Sequence, residues 1–114
     1  MQKIILGLSF AATIFTANVS AQNSEGQRVF ETKGCVVCHK KDMDTIGPSL
    51  RTIATSYASK EHTMISYLQG NSAPIVDPAR ASVMNPQLVK IRTLFEADMQ
   101  ALAEYMVSAN DRPF

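Results

Sequence analysis

Apolar residues return along this chain at intervals of three and four, and nowhere do they alternate singly with polar ones. That spacing puts them on single faces of helices and leaves no strand to propose, so the chain reads as all-α. The pattern opens near Ser24, where a serine N-cap and Gln27 three residues later match a capping box. Gly26, Val29 and Phe30 then share one side. Leu50, Ile53, Ala54 and Tyr57 form a second, short pattern. Ser59 is placed to cap a third, with Met64, Ile65 and Leu68 as its apolar face and Gly70 as its stop. From Asn71 to Pro86 the periodicity disappears. Pro74, Pro78 and Pro86, with Asn71, Ser72 and Asp77, predict a loop of about 16 residues, long enough in a small domain to suggest function. Leu88, Val89 and Ile91 suggest a short turn. Phe95, Met99, Leu102 and Met106, with Tyr105 beside them, stripe a last helix to about Ser108, opened by a Thr93–Glu96 capping box.

Ahead of this pattern lies a different one. Lys3 is followed by an apolar run from Ile4 to Ala17, and Val19-Ser20-Ala21 offers small residues for cleavage before Gln22. The run is 14 residues, against roughly 20 needed to span a bilayer. Residues 1–21 are therefore expected to be a cleavable export signal, with 22–114 as a single domain. No cysteine follows the cleavage point, so no lipid anchor is suggested. A domain this small gains much of its burial from any large apolar cofactor it holds. Loss of Lys3 would cancel the formal net charge of +1, which argues against nucleic acid or a polybasic membrane contact.

Both cysteines fall inside one pentapeptide, Cys35-Val36-Val37-Cys38-His39, so no structural disulfide is available. C-x-x-C-H is the attachment signature of c-type haem. In a helical turn Cys35 and Cys38 project from one face, with His39 four residues after Cys35 on the same side. Two thioethers would tether a porphyrin while the imidazole reaches its iron. A redox dithiol would want a βαβ setting, and a structural zinc site would want four ligands, whereas His62 is the sole other histidine.

A polar stretch, Lys40 to Asp44, leads to Thr45-Ile46-Gly47-Pro48. Pro48 has two readings: its carbonyl is an acceptor for the free N–H of a ligating histidine, or it is a helix-start proline. For the iron's other side Met84, in Val83-Met84-Asn85-Pro86-Gln87, stands in the aperiodic loop with no helix face to complete. Its thioether is a soft ligand suited to a c-type haem. Met43 sits too near the motif, and Met64, Met99 and Met106 lie on helical stripes. His62 is the rival ligand, more simply read as a solvated surface histidine.

With these landmarks together, the chain resembles the small soluble class I cytochromes c of bacteria. The resemblance covers the whole of residues 22–114. It rests on Cys35–His39 near the start of that stretch, on Gly47-Pro48, on Met84-Asn85-Pro86-Gln87, and on Leu102-Ala103-Glu104-Tyr105-Met106 as the C-terminal helix. The chain departs from many members in lacking tryptophan and in its long segment from Leu88 to Glu96. The resemblance implies four to five short helices wrapped around one covalently bound haem. It implies Gly26 and Phe30 crossing Leu102 and Tyr105, the Pro48 carbonyl accepting from His39, and His39 with Met84 as axial ligands.

With both axial positions filled there is no site for oxygen or substrate, and the expected role is one-electron transfer rather than catalysis. Its partners would be redox proteins met transiently by a monomer, with no nucleic acid and no stable membrane insertion. Lys33, Lys40 and Lys41 flank the motif and can steer an acidic partner, though Asp42 and Asp44 dilute them. Three classes stay open. One is a free periplasmic shuttle. The second is the haem subunit of a periplasmic dehydrogenase, for example one oxidising sulfite or another sulfur compound. The third is a haem enzyme or gas sensor with an open iron position.

Overall fold

The computed structural model describes Gly7, Ala11 and residues 19–112, so most of the expected signal segment lies outside the described residues. Five helices and three short 3-10 turns follow in order, with no strand among the described residues. The first helix, α1, spans Val19–Thr32. It begins ahead of the expected cap. Ser24 lies inside it, and the Gln27 amide reaches forward to Glu31 at 3.1 Å instead of back. Nothing between Val19 and Asn23 breaks a helix, and a capping residue marks a start only where its predecessors leave helical space.

The last helix, α5, covers Glu96–Val107 and crosses α1. Gly26 makes that crossing close. A Cβ there would fall 2.5 Å from the Tyr105 Cβ and closer still to the Ala101 carbonyl oxygen. Beside it the Phe30 and Tyr105 rings meet at 5.5 Å, tilted by 52°, an edge-favouring geometry for an aromatic pair. The Arg112 guanidinium lies 4.0 Å above the Tyr105 ring from its other side. Met99, Leu102 and Met106 are buried as the stripe predicts, but Phe95 is 83 % exposed. It is the N-cap residue of α5, and the expected capping box is not made. The Thr93 hydroxyl donates instead to the Lys90 carbonyl at 2.8 Å.

Between these two helices run α2 (Leu50–Ser56) and α3 (Glu61–Leu68). Leu50, Ile53, Ala54 and Tyr57 are all buried, as are Met64 and Leu68. Ser49 caps α2 by accepting the Thr52 N–H. Ser59 does not cap α3: it takes a left-handed φ of 59°, and Lys60 holds the cap position. The chain needs that residue to turn between two nearly adjoining helices, which removes it from the extended geometry a cap requires. Gly70 ends α3 as expected, at φ 81°. The Asn71 N–H bonds the Ser66 carbonyl at 2.8 Å and the Gly70 N–H bonds the Tyr67 carbonyl at 2.9 Å, a Schellman closure.

The largest departure lies in the expected loop. After a 3-10 turn at Pro78–Arg80, the fourth helix, α4, runs Ala81–Ile91 with Pro86 inside it. Met84, Leu88 and Ile91 stand at i, i+4 and i+7 on one stripe, with Leu88 and Ile91 buried. Pro86 cannot supply the N–H that the Ser82 carbonyl would ordinarily receive. Burial of the stripe outweighs that loss, since local propensity is a weak prior against tertiary packing. The stripe was visible in the sequence, hidden only by reading Pro86 as a breaker.

Candidate haem-binding site

Gly34 sets up the site. Its left-handed φ of 76° turns the chain out of α1 and into a 3-10 turn over Cys35–Val37. There the His39 N–H reaches the Cys35 carbonyl at 3.0 Å, curling the motif into one turn. Cys35, Cys38 and His39 are half-buried and line a single cavity of about 410 Å³. That volume falls within the roughly 300–1,000 Å³ typical of pockets for small molecules and cofactors. Burial pushes the Cys35 thiol up, with the Cys38 thiol adding to it.

The loop after the motif folds back against the imidazole. The Gly47 N–H donates to the Cys38 carbonyl at 2.9 Å, and the Thr45 hydroxyl donates to the same oxygen at 3.2 Å. A Cβ on Gly47 would lie 2.7 Å from the ring of His39, so only glycine admits the imidazole there. His39 Nδ1 is 2.7 Å from the Pro48 carbonyl oxygen. A carbonyl only accepts, so Nδ1 carries the proton and Nε2 keeps its lone pair for a metal. Of the two readings of Pro48, the acceptor is the one the loop adopts. The first turn of α2 is tied to the same loop, with the Leu50 and Arg51 N–H groups bonding the Lys40 and Lys41 carbonyls at 2.8 and 3.1 Å.

Met84 joins the cavity from α4, half-buried against the core. Thus Cys35, Cys38, His39, Pro48 and Met84 all line one space. His62 does not: it is exposed, in a separate surface cleft with Glu61, Arg92 and Glu96. Met43 is 66 % exposed and Met99 is core, neither on the cavity. Met64 and Met106 also reach the cavity wall, from buried positions in α3 and α5.

Sequence reasoning missed two tyrosines. Tyr57 and Tyr67 line the cavity. The Tyr57 side chain is 2 % exposed and its hydroxyl makes no hydrogen bond. Burial pushes it up to about 12, nearby Tyr67 adds in the same direction, and the Ile75 backbone opposes them without offering a bond of ordinary geometry. Burial also raises Tyr67. A buried phenol wants an acceptor. Their polar tips were the available signal.

The cytochrome c family model matches residues 24–110. The chain belongs to the cytochrome c family. Among relatives, a cytochrome c-552 of Nitrosomonas europaea is 24 % identical over 108 residues, covering 95 % of this chain and 98 % of that protein. A cytochrome c-551 of Pseudomonas denitrificans is 29 % identical over 65 residues, 51 % of this chain and 79 % of that protein. A cytochrome c-551 of Azotobacter vinelandii is 40 % identical over 35 residues, 31 % of this chain and less than half, 43 %, of that protein.

The cofactor of this cytochrome c is one covalently attached c-type haem. The residues present fit it. Two thiols and an imidazole with its lone pair open share a cavity whose walls are largely apolar, including Ile53, Leu68 and Ile91. The orphaned Tyr57 hydroxyl is a donor that a porphyrin carboxylate would satisfy.

Proposed function

We propose that this cytochrome c is a periplasmic one-electron carrier in which Cys35 and Cys38 form the thioethers and His39 and Met84 are the axial ligands. The observation that carries the reading is the meeting of all four side chains at one cavity. When bound, the haem supplies reversible gain and loss of a single electron. The chain's part is to bind, orient and enclose. Cys35 and Cys38 fasten the edge, and the Pro48 carbonyl fixes the His39 ring and its tautomer. Met84 on α4 offers a soft thioether, which favours the reduced state relative to stronger donors.

Support for export comes from Lys3, the apolar run Ile4–Ala17 and the small residues before Gln22. Among the described residues no helix is long and apolar enough to cross a membrane. Val37, Ile46 and Val83, 63, 57 and 55 % exposed, border the cavity and give an apolar rim for brief contact with redox partners.

The test is the intact mass and the spectrum of protein exported by a host able to attach haem. The mass should equal residues 22–114 plus one haem, and the oxidised and reduced spectra should be low-spin. Free thiols under those conditions would refute covalent attachment, and a high-spin spectrum would point to an open iron position. Steady co-purification of a large catalytic chain would favour the dehydrogenase-subunit reading over the free shuttle.

A further inference from the structure

Behind His39 lies a second hydrogen bond, and we infer that Asp44 tunes the ligating imidazole through the peptide group joining Pro48 to Ser49. The carbonyl of that peptide accepts from His39 Nδ1 at 2.7 Å. Its N–H, on Ser49, donates to Asp44 Oδ1, also at 2.7 Å. One planar, resonance-coupled amide thus carries a carboxylate on its donor side and the imidazole on its acceptor side. A carboxylate accepting from an amide N–H is a charge-assisted bond. Hydrogen bonds linked in a chain polarise one another. Density drawn toward the Pro48 oxygen strengthens its hold on the Nδ1 proton and makes Nε2 the better donor. A more basic imidazole stabilises the oxidised iron, so the relay lowers the reduction potential.

The surroundings hold this path in place. Ser49 is 2 % exposed and Gly47 is buried, so the amide is shielded from competing water. The Thr45 N–H bonds the Gly47 carbonyl at 3.1 Å, closing the loop that presents Asp44. Asp44 Oδ1 accepts a second, longer bond from the Thr52 hydroxyl at 3.4 Å. Asp44 touches neither the cavity nor His39, so it is a positioning residue acting through the peptide. The inference rests on His39 being the iron ligand.

Asp44→Asn tests it, because asparagine keeps an acceptor oxygen and removes the charge. The protein is the reduced holocytochrome, read by the proton resonance of the His39 Nδ1–H, by the reduction potential, and by exchange protection of the Ser49 N–H. Asp42→Asn is the control for charge acting through space, since Asp42 stands in the same loop and pairs with Arg51. Asp44→Asn should move the Nδ1–H resonance upfield and raise the potential by clearly more than Asp42→Asn, with the Ser49 N–H still protected. An unmoved Nδ1–H resonance, or equal effects from Asp42→Asn, overturns the relay. If Asp44→Asn does not accumulate as holoprotein, Asp44→Ser, which offers a neutral hydroxyl acceptor, is read by the same criteria. Absence of ring-current-shifted His39 ring protons in the reduced, unsubstituted holoprotein would refute the His39 reading and this inference together. Shifted His39 ring protons with an unmoved Nδ1–H resonance remove this inference alone.

Discussion

Gly26→Ala sets two opposing effects against each other at the α1–α5 crossing. In a free helix alanine is better than glycine by about 1 kcal/mol. Here the added Cβ would sit 2.5 Å from the Tyr105 Cβ and nearer still to the Ala101 carbonyl oxygen. Carbon atoms prefer about 3.5–4.0 Å, so the helices must part by about 1 Å, forfeiting a quarter to a half of each contact well across the interface. That interface holds Val29, Phe30 and Leu102, all at most 4 % exposed. Overpacking of this kind costs about 1–3 kcal/mol, and the upper end applies because the obstacle includes backbone. Set against the propensity gain, the net loss is about 2 kcal/mol, or on the order of 10 °C in Tm for a domain of this size. Thermal unfolding of the holoprotein followed by far-ultraviolet circular dichroism measures it. Gly34 is the comparison, at φ 76° with nothing within 4 Å of its Cβ position. Gly34→Ala should cost about 1–2 kcal/mol from backbone strain alone, and Gly34→Asn should recover much of it, because asparagine visits the left-handed region. A Gly26→Ala protein as stable as the parent would show that the helices do not touch at this point.

Met84→Ala should abolish the weak far-red charge-transfer band of the oxidised protein and the upfield methionine methyl resonance of the reduced one, and should lower the potential. His62→Ala should leave both signals intact, and the opposite pair of results would reassign the ligand. Reversing charge at Lys33, Lys40 and Lys41 should slow association with an acidic redox partner at low salt and flatten its salt dependence, while unchanged kinetics would leave these lysines as solvating groups. Tyr57 gives a pH prediction. Its folded value of about 12 stands above the ordinary 10.0. The folded state therefore holds the proton longer, and stability present below pH 10 is lost as pH rises toward 12. Denaturant midpoints at pH 9 and 11 should show the fall, and Tyr57→Phe should remove that part of it. A slope unchanged by the substitution would place the titration elsewhere.

The apolar stripes at Leu50/Ile53/Ala54/Tyr57, at Met64/Leu68 and at Met99/Leu102/Met106 were legible because helical period is a local property, and each is buried as read. The capping boxes at Ser24 and Thr93 and the Ser59 cap were not reliable. A cap is a local option that neighbouring residues override, as the continuous helix before Ser24 and the left-handed Ser59 do. The sequence singles out Met84 as a loop residue, whereas it stands on α4. It reaches the cavity all the same, through the stripe it shares with Leu88 and Ile91.

By itself the sequence determined the chemistry of attachment. The C-x-x-C-H signature falls within one turn of chain, so Cys35, Cys38 and His39 are readable together as a motif. It determined the helical class as well, through the three-and-four spacing of apolar residues. The tertiary structure alone decided that Asp44 bonds the amide behind His39, that Tyr57 is buried without a partner, and that residues 81–91 form a helix despite Pro86. Each of these depends on segments distant in the chain closing on one another. What holds them there is the burial of apolar surface contributed by all the helices at once, a quantity that no short stretch of sequence contains.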